Sequence, residues 1–314
     1  MTPVWPAHAA GSGLGMGVTQ IARAKVNLTL KVLGRRADGY HALESLVTFA
    51  AIGDRLTFDP SLLGARLVVR GPFAEGIAGP NLLEGALDLL SQSGVGLGDG
   101  SITLEKNLPV AAGLGGGSAD AGALLRLARA AHLERAEDPL WRHLARRLGA
   151  DVPVCFADRP ALMGGIGDEL RLLPTASSPP PPLPAVLANP GVALATARVF
   201  AALQAPTLKA RRAPRAPLAA IGSFAALCDH IGAVGNDLEP PAMALEPVIG
   251  AVKAALLACP GCRTAAMSGS GPTCFGIFTS EVQAMAAAVA MRSSEPRWWV
   301  VATLLDGVVA SAAA

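Results

Sequence analysis

Pro109-Val110-Ala111-Ala112-Gly113-Leu114-Gly115-Gly116-Gly117-Ser118-Ala119-Asp120 leaves a short strand predicted over Ser101 to Leu104 and opens a helix that is apolar nearly all round through Ala131. Glycines let a backbone approach a phosphate without Cβ clashes. The unpaired N–H groups of a helix N-terminus, with its partial positive charge, stabilise an anion. The segment is therefore a candidate anion cradle. No Gly-Lys-Ser/Thr follows, so it is not a Walker A loop. Ser118 stands where a dinucleotide-binding loop needs its third glycine. On glycine content alone, a tight structural turn is the competing reading.

Upstream, Ile21 to Val32 alternates, with Ala24, Val26, Leu28, Leu30 and Val32 on one side and Lys25, Asn27, Thr29 and Lys31 on the other. This is the pattern of a half-buried strand, whose polar face lets Lys25 and Asn27 address one ligand. After a turn over Gly34 to Gly39, Leu46 to Ala50, Leu56 to Phe58 and Leu67 to Val69 read as strands. Asn81, with Glu84 three residues on, reads as the N-cap of a helix to about Leu90. Downstream, Asp138-Pro139 starts a helix that Gly149 ends, and Asp151 lies just beyond it between Gly149-Ala150 and Val152-Pro153. A Lys and Asp pair beside a phosphate cradle suits phosphoryl transfer: the carboxylate accepts a hydroxyl proton and the ammonium offsets phosphate charge. The plainer alternative is a surface lysine and an aspartate capping a turn.

Pro179 to Pro182 with Pro184 marks a boundary between two parts of the chain. Beyond it, strands are expected at Ala185 to Ala188, Cys274 to Phe278 and Val300 to Leu304, and helices at Met243 to Ala258 and Glu281 to Met291. A second glycine loop, Ser268-Gly269-Ser270-Gly271-Pro272, is weak evidence by itself, and Gly11 to Gly17 has neither strand before it nor helix after. With 51% hydrophobic and 16% charged residues over 314, the chain is neither disordered nor, lacking a long uninterrupted apolar stretch, membrane-spanning. A net charge of +2 gives no bulk argument for a nucleic-acid or membrane partner. Five cysteines without a regular framework favour the cytoplasm, and Cys259-Pro260-Gly261-Cys262, with no second Cys pair, reads as structural.

Taken together, these segments resemble the GHMP kinase superfamily, whose second motif, Pro-x-x-x-Gly-Leu-Gly followed by small residues and Ser, stands here as Pro109 to Ser118. Ala24-Lys25-Val26-Asn27-Leu28, Asp38-Gly39-Tyr40-His41, Gly149-Ala150-Asp151-Val152-Pro153, Asn189-Pro190-Gly191 and Ser268-Gly269-Ser270-Gly271 resemble the branch that phosphorylates a cytidine diphosphate-linked methylerythritol. The resemblance runs from about Ile21 to Phe278. It implies a two-lobed α/β (α+β) fold, with an N-terminal lobe like a ribosomal-protein domain and a ferredoxin-like C-terminal lobe. The expected divisions are an extension over 1–18 and lobes over 19–172 and 173–314.

The resemblance implies Lys25 and Asp151 as the catalytic pair. It implies ATP phosphates on Pro109, Val110, Ala111, Ala112, Gly113, Leu114, Gly115, Gly116, Gly117, Ser118 and Ala119, with Mg²⁺ whose ligands it leaves open. Tyr40 and His41 would hold the cytidine, Phe200 with Thr196 would close its other face, and Asn27 would join them. The chain departs from the family pattern at Ala197, where proline is common, and in its N-terminal extension, proline run and basic stretch Lys209 to Arg215. Two rivals are a mevalonate- or homoserine-type kinase, which would lack the Asp-Gly-Tyr-His segment, and a catalytically silent nucleotide-binding module.

Overall fold

A computed structural model of the chain describes residues 17–62, 66–77, 81–173, 180–208 and 222–308. Most of the N-terminal extension, Pro174 to Pro179 and the basic stretch lie outside these residues, whereas Val18 already belongs to the first strand. The first elements are β1 (Val18–Asn27), β2 (Lys31–Arg35), β3 (His41–Asp59), β4 (Leu67–Arg70), α1 (Leu82–Gln92), β5 (Ser101–Glu105) and α2 (Gly116–Ala131). Then come α3 (Leu140–Leu148), α4 (Val152–Ala157), β6 (Ala161–Gly164), β7 (Glu169–Leu172), β8 (Leu183–Asn189), α5 (Thr196–Leu203) and α6 (Phe224–Val234). The last are α7 (Glu239–Leu245), α8 (Val248–Ala258), β9 (Cys262–Met267), β10 (Cys274–Phe278), α9 (Glu281–Ser294) and β11 (Trp299–Leu305).

These elements form two compact units interleaved in sequence. The first takes Met1–Ala24, Ile52–Val110 and Gly115–Asp158. In it the second half of β3 runs antiparallel to β5 (Arg55 opposite Glu105), and β4 runs parallel to β5 on its other side. α2 is the central helix, buried from Ala119 through Leu125 and again at Leu127, Ala128 and Ala131, as its all-round apolar sequence requires. At Gly122 a Cβ would stand 2.6 Å from the Cys155 carbonyl carbon, so α4 packs where only a hydrogen fits. The Asn81 carboxamide oxygen accepts from the Leu83 N–H (3.0 Å) to start α1, and Asp138 does the same for Leu140 (2.8 Å) at the head of α3.

The second unit takes Lys25–Ala51, Ala111–Leu114 and Arg159–Ala314. Its antiparallel sheet runs in the order β11-β8-β10-β9, with Val186 opposite both Gly276 and Ala302. Val186 and Ala188 of this sheet share one core with Ile249, Val252 and Leu256 of α8 and Ala284, Ala288 and Met291 of α9. A hairpin of β2 with β3, and the pair β6–β7 laid against β3 at Ser45 to Val47, complete it. Among the described residues no single helix is long and apolar enough to cross a membrane; α7 and α8 pass together only as a pair bent by 120°.

Three expectations are corrected. Ile21 to Val32 is two strands, broken after Asn27, and from Ala24 to Leu30 every residue is buried rather than one in two. Leu46 to Ala50 and Leu56 to Phe58 are one strand, because Gly53 lets β1 approach (a Cβ would be 2.2 Å from the Ala22 oxygen) and Asp54 is buried and ion-paired. The helix expected over Met243 to Ala258 breaks at Glu246-Pro247, since Pro247 has no N–H to continue it. Burial on all sides hid the first break, and paired charge hid the continuity of β3.

Overpacking at Gly122 and the empty space around the exposed helical Gly85 give opposite signs for one substitution. Gly122→Ala is expected to lower unfolding free energy by about 1–3 kcal/mol, and Gly85→Ala to raise it by about 0.5–1 kcal/mol, in urea denaturation.

Candidate active site

In the second unit the expected site residues are tied together through the end of β1. Lys25 and Asn27 are buried, 4% and 3% exposed. The Lys25 N–H donates to the Leu114 carbonyl (2.9 Å), and its Nζ donates to Asn27 Oδ1 (3.2 Å). Asn27 Nδ2 donates to Ser45 Oγ (2.7 Å), and the Asn27 N–H donates to Ser268 Oγ (3.0 Å). That hydroxyl, wholly buried, donates in turn to the Gly113 carbonyl (2.9 Å). A Cβ on Gly113 (φ +72°) would meet the Ser268 oxygen at 2.3 Å, and one on Gly269 would meet the Gly113 oxygen at 2.9 Å. The second glycine loop, weak evidence in sequence, is thus the latch of the first. Asn236 was not singled out: its Nδ2 donates to the carbonyls of Met267 and Gly269, both at 2.8 Å, and braces that latch. A lone Asn between loops carries no sequence signal for this role.

The same unit brings His41 and Phe200 together, rings stacked at 4.8 Å and 26°. Burial, and then the neighbouring Arg35, lower the His41 pKa, so the imidazole is neutral at pH 7 with one donor and one acceptor nitrogen. Thr196 and Phe200 share a face of α5 one turn apart, and the Thr196 hydroxyl bonds Ser270 Oγ (2.8 Å). Ala197, in the first turn of α5, leaves that helix intact. Tyr40 is 61% exposed at the end of a turn. Asp38 fixes that turn, bonded by the Arg36 side chain, which holds its carboxyl below the usual range, and by the Tyr40 N–H at 3.1 Å.

Of the remainder, Ala111 to Leu114 belong to the second unit, and the chain from Gly115 on, with Asp151, to the first. Ala111, Gly113 and Gly115 have φ of 52°, 72° and 65°, a left-handed residue at every second position, which turns successive N–H groups to one side as in an anion-binding nest. Gly115 is the N-cap of α2 with no side-chain cap, and no acidic residue stands in the first turn. A Cβ on Gly117 would meet nothing within 4 Å. Helix geometry leaves the N–H groups of Gly116, Gly117 and Ser118 without intrahelical partners at the positive end of a 16-residue helix, while the Ala119 N–H already donates to the Gly115 carbonyl. Asp151 is half-buried at the head of α4, where its side chain makes no helix-cap bond. The other end of α4 is clamped: the Asp158 carboxylate and carbonyl accept from Arg23 (2.9 and 2.8 Å), and Arg126 donates to the Ile21 carbonyl (2.8 Å). Sequence reasoning also missed the buried set Lys106, Asp54 and Asp120 beside Gly116, although a charge inside an otherwise apolar helix was its signal.

Among the described residues no group of three or more His, Cys, Asp or Glu could hold a metal ion. A Mg²⁺ carried mainly by nucleotide phosphates and water, its usual manner of binding, is compatible with that donor set. Burial pushes the Cys262 thiol up to about 11 and raises that of Cys259, so neither is a thiolate nucleophile.

Residues 81–164 match the GHMP kinases N terminal domain and residues 216–296 the GHMP kinases C terminal domain. A 4-diphosphocytidyl-2-C-methyl-D-erythritol kinase of Rhodopseudomonas palustris (strain HaA2) is 47% identical over 296 residues, spanning 89% of this chain and 95% of the relative. The chain belongs to the 4-diphosphocytidyl-2-C-methyl-D-erythritol kinase family of GHMP kinases. A family member from Parvibaculum lavamentivorans is 47% identical over 92% of this chain and 99% of its own. The crystal structure of a 4-(cytidine 5'-diphospho)-2C-methyl-D-erythritol kinase aligns with a TM-score of 0.69 and 34% identity, covering 93% of this chain and all of that one. A homoserine kinase from Cytophaga hutchinsonii, 19% identical with a TM-score of 0.61 over 95% of this chain and 97% of its own, shares the fold. As a GHMP kinase the chain uses ATP.

Ser268→Ala leaves the Asn27 N–H and the Gly113 carbonyl without their partner. We expect unfolding free energy to fall by about 1–3 kcal/mol in urea denaturation, with Ser268→Thr, which keeps a hydroxyl, losing less.

Proposed function

We propose that this chain transfers the γ-phosphoryl group of ATP to the 2-hydroxyl of 4-diphosphocytidyl-2-C-methyl-D-erythritol, in non-mevalonate isoprenoid synthesis. The observation that carries the proposal is 47% identity to relatives of that name along nearly their whole length. The His41–Phe200 ring pair beside exposed Tyr40 supports it further, since neither mevalonate nor homoserine has a base to place there.

In this proposal Asp151 accepts the hydroxyl proton, Lys25 holds the carboxylate ionised and offsets phosphate charge, and Asn27 orients the Lys25 ammonium. The N–H groups of the Pro109 to Ala119 segment hold the phosphates, and Mg²⁺ accompanies them and neutralises their charge. Asn81 Nδ2, buried without a partner among the described residues, is a donor for the adenine. Tyr40 and Phe200 enclose the cytosine, His41 reads its edge and Thr196 lies beside it. Lobes over 19–172 and 173–314 are supported by the matched domains, each of which falls within one of them. The five cysteines are free thiols, which fits the cytoplasm.

An assay coupled to ADP release decides the substrate: turnover of the cytidylated methylerythritol is expected, and turnover of mevalonate or homoserine in its place overturns the proposal. Tyr40→Ala and His41→Ala are expected to raise KM for that substrate while KM for ATP stays near wild type, a stacking loss of about 1–3 kcal/mol. Asp151→Asn is expected to bind both ligands and keep less than a tenth of wild-type turnover, a barrier increase above about 1.4 kcal/mol.

A further inference from the structure

Three ionisable side chains lie buried together under the start of α2, and the chemistry above uses none of them. Lys106, after β5, is 4% exposed; Asp54, within β3, is 0%; Asp120, the fifth residue of α2, is 2%. Lys106 Nζ donates to Asp54 Oδ2 and, at 2.8 Å, to Asp120 Oδ2. Asp54 places its other oxygen on the N–H groups of Asn107 (2.6 Å) and Leu108 (2.9 Å). Asp120 Oδ1 has no partner among the described residues. A Cβ on Gly116 would lie 3.5 Å from the Lys106 ammonium and 3.8 Å from Asp54, so the set sits directly beneath the first turn of α2. One lysine between two carboxylates leaves an unbalanced buried negative charge whenever both are ionised.

Resting on the nucleotide reading above, we propose that Asp120 is a proton-linked positioning residue for the nucleotide. As the polyphosphate settles on the N-terminus of α2, the Asp120 carboxyl takes up one proton from solvent. The neutral carboxyl then leaves Lys106 to Asp54 and to the field of the phosphates. An oxygen that is neither solvated nor hydrogen-bonded is where a proton costs least. Burial pushes the Asp120 carboxyl up to about 7, Lys106 pulls it down and Asp54 pushes it up. The buried residues of α1, α3 and α4, the helices packed on α2, are apolar apart from the Cys155 thiol, and α2 has no acidic residue in its first turn. An arriving anion therefore adds like charge to a carboxyl already poised to titrate, which favours its protonated form.

Calorimetric titration of ADP with Mg²⁺ into the full chain, in buffers of different ionisation heat, counts the protons exchanged, and Asp120→Asn, a neutral isostere, cancels the ionisation of the nucleotide itself. Relative to that variant, the wild type is expected to take up about half a proton at pH 7 and about 0.9 at pH 8. Its affinity is expected to fall about fivefold over that step while that of Asp120→Asn changes less than twofold. Equal proton counts in the two proteins, or wild-type affinity that does not fall, overturn the assignment. The fall in wild-type affinity between pH 7 and pH 8 is read without the variant. ADP that fails to bind at either pH overturns the nucleotide reading, and this inference with it.

Discussion

The buried hydroxyl of Ser268 sets the register of the second unit's share of the site. It accepts from the backbone of β1 at Asn27 and donates to the backbone of the phosphate-binding loop at Gly113, so two segments 86 residues apart (27 and 113) are fixed against a third at 268. Neither bond leaves slack: a Cβ on Gly113 or Gly269 would fall within 3 Å of backbone atoms across the junction. The glycines are there because two backbones must touch. Lys25 inherits its place from this junction, with its N–H on Leu114 and its ammonium on Asn27. Around it the unit uses uncharged groups: Asn236 and Asn189 satisfy loop backbone, Asn189 also donates to the Thr273 hydroxyl, and the Thr196 and Ser270 hydroxyls bond each other.

The first unit handles charge in a different way. It buries Lys106 with two carboxylates and clamps the C-terminal end of α4 with two arginines on Asp158, while the first turn of α2 stays clear of acidic side chains. Paired ions cost desolvation energy, but removing one partner costs more, so such sets hold a geometry more than they add stability. Here they fix the strand that leads into the glycine loop and the short helix that begins after Asp151.

Much of this was legible in the chain. Gly113 to Ser118 before an apolar helix, the Asn81 cap, the Asp138-Pro139 start and the Tyr40-His41 turn are local signals, and local hydrogen bonds settle them. The pairing of His41 with Phe200 followed from resemblance rather than from spacing, since 159 residues separate them (200 minus 41) and no local rule links them. What escaped notice depended on partners remote in sequence. Asp54 is buried in its strand by its pairing with Lys106, Lys25 is buried where a surface lysine was the plainer alternative, and Asn236 has no pattern at all. Pro247 stands inside an apolar run whose periodicity continues past it, and its missing N–H ends the helix there.

The most direct measurement is a crystal structure with a non-hydrolysable ATP analogue and the cytidylated methylerythritol both bound. The account predicts phosphate oxygens on the N–H groups at the head of α2 and cytosine against Tyr40 and Phe200. It also predicts the 2-hydroxyl oxygen within about 3 Å of the Asp151 carboxylate, directly or through one water, with the Lys25 ammonium in contact with the same group. Cytosine bound away from His41, or a hydroxyl more than about 8 Å from Asp151 and Lys25 with both ligands in place, would contradict it.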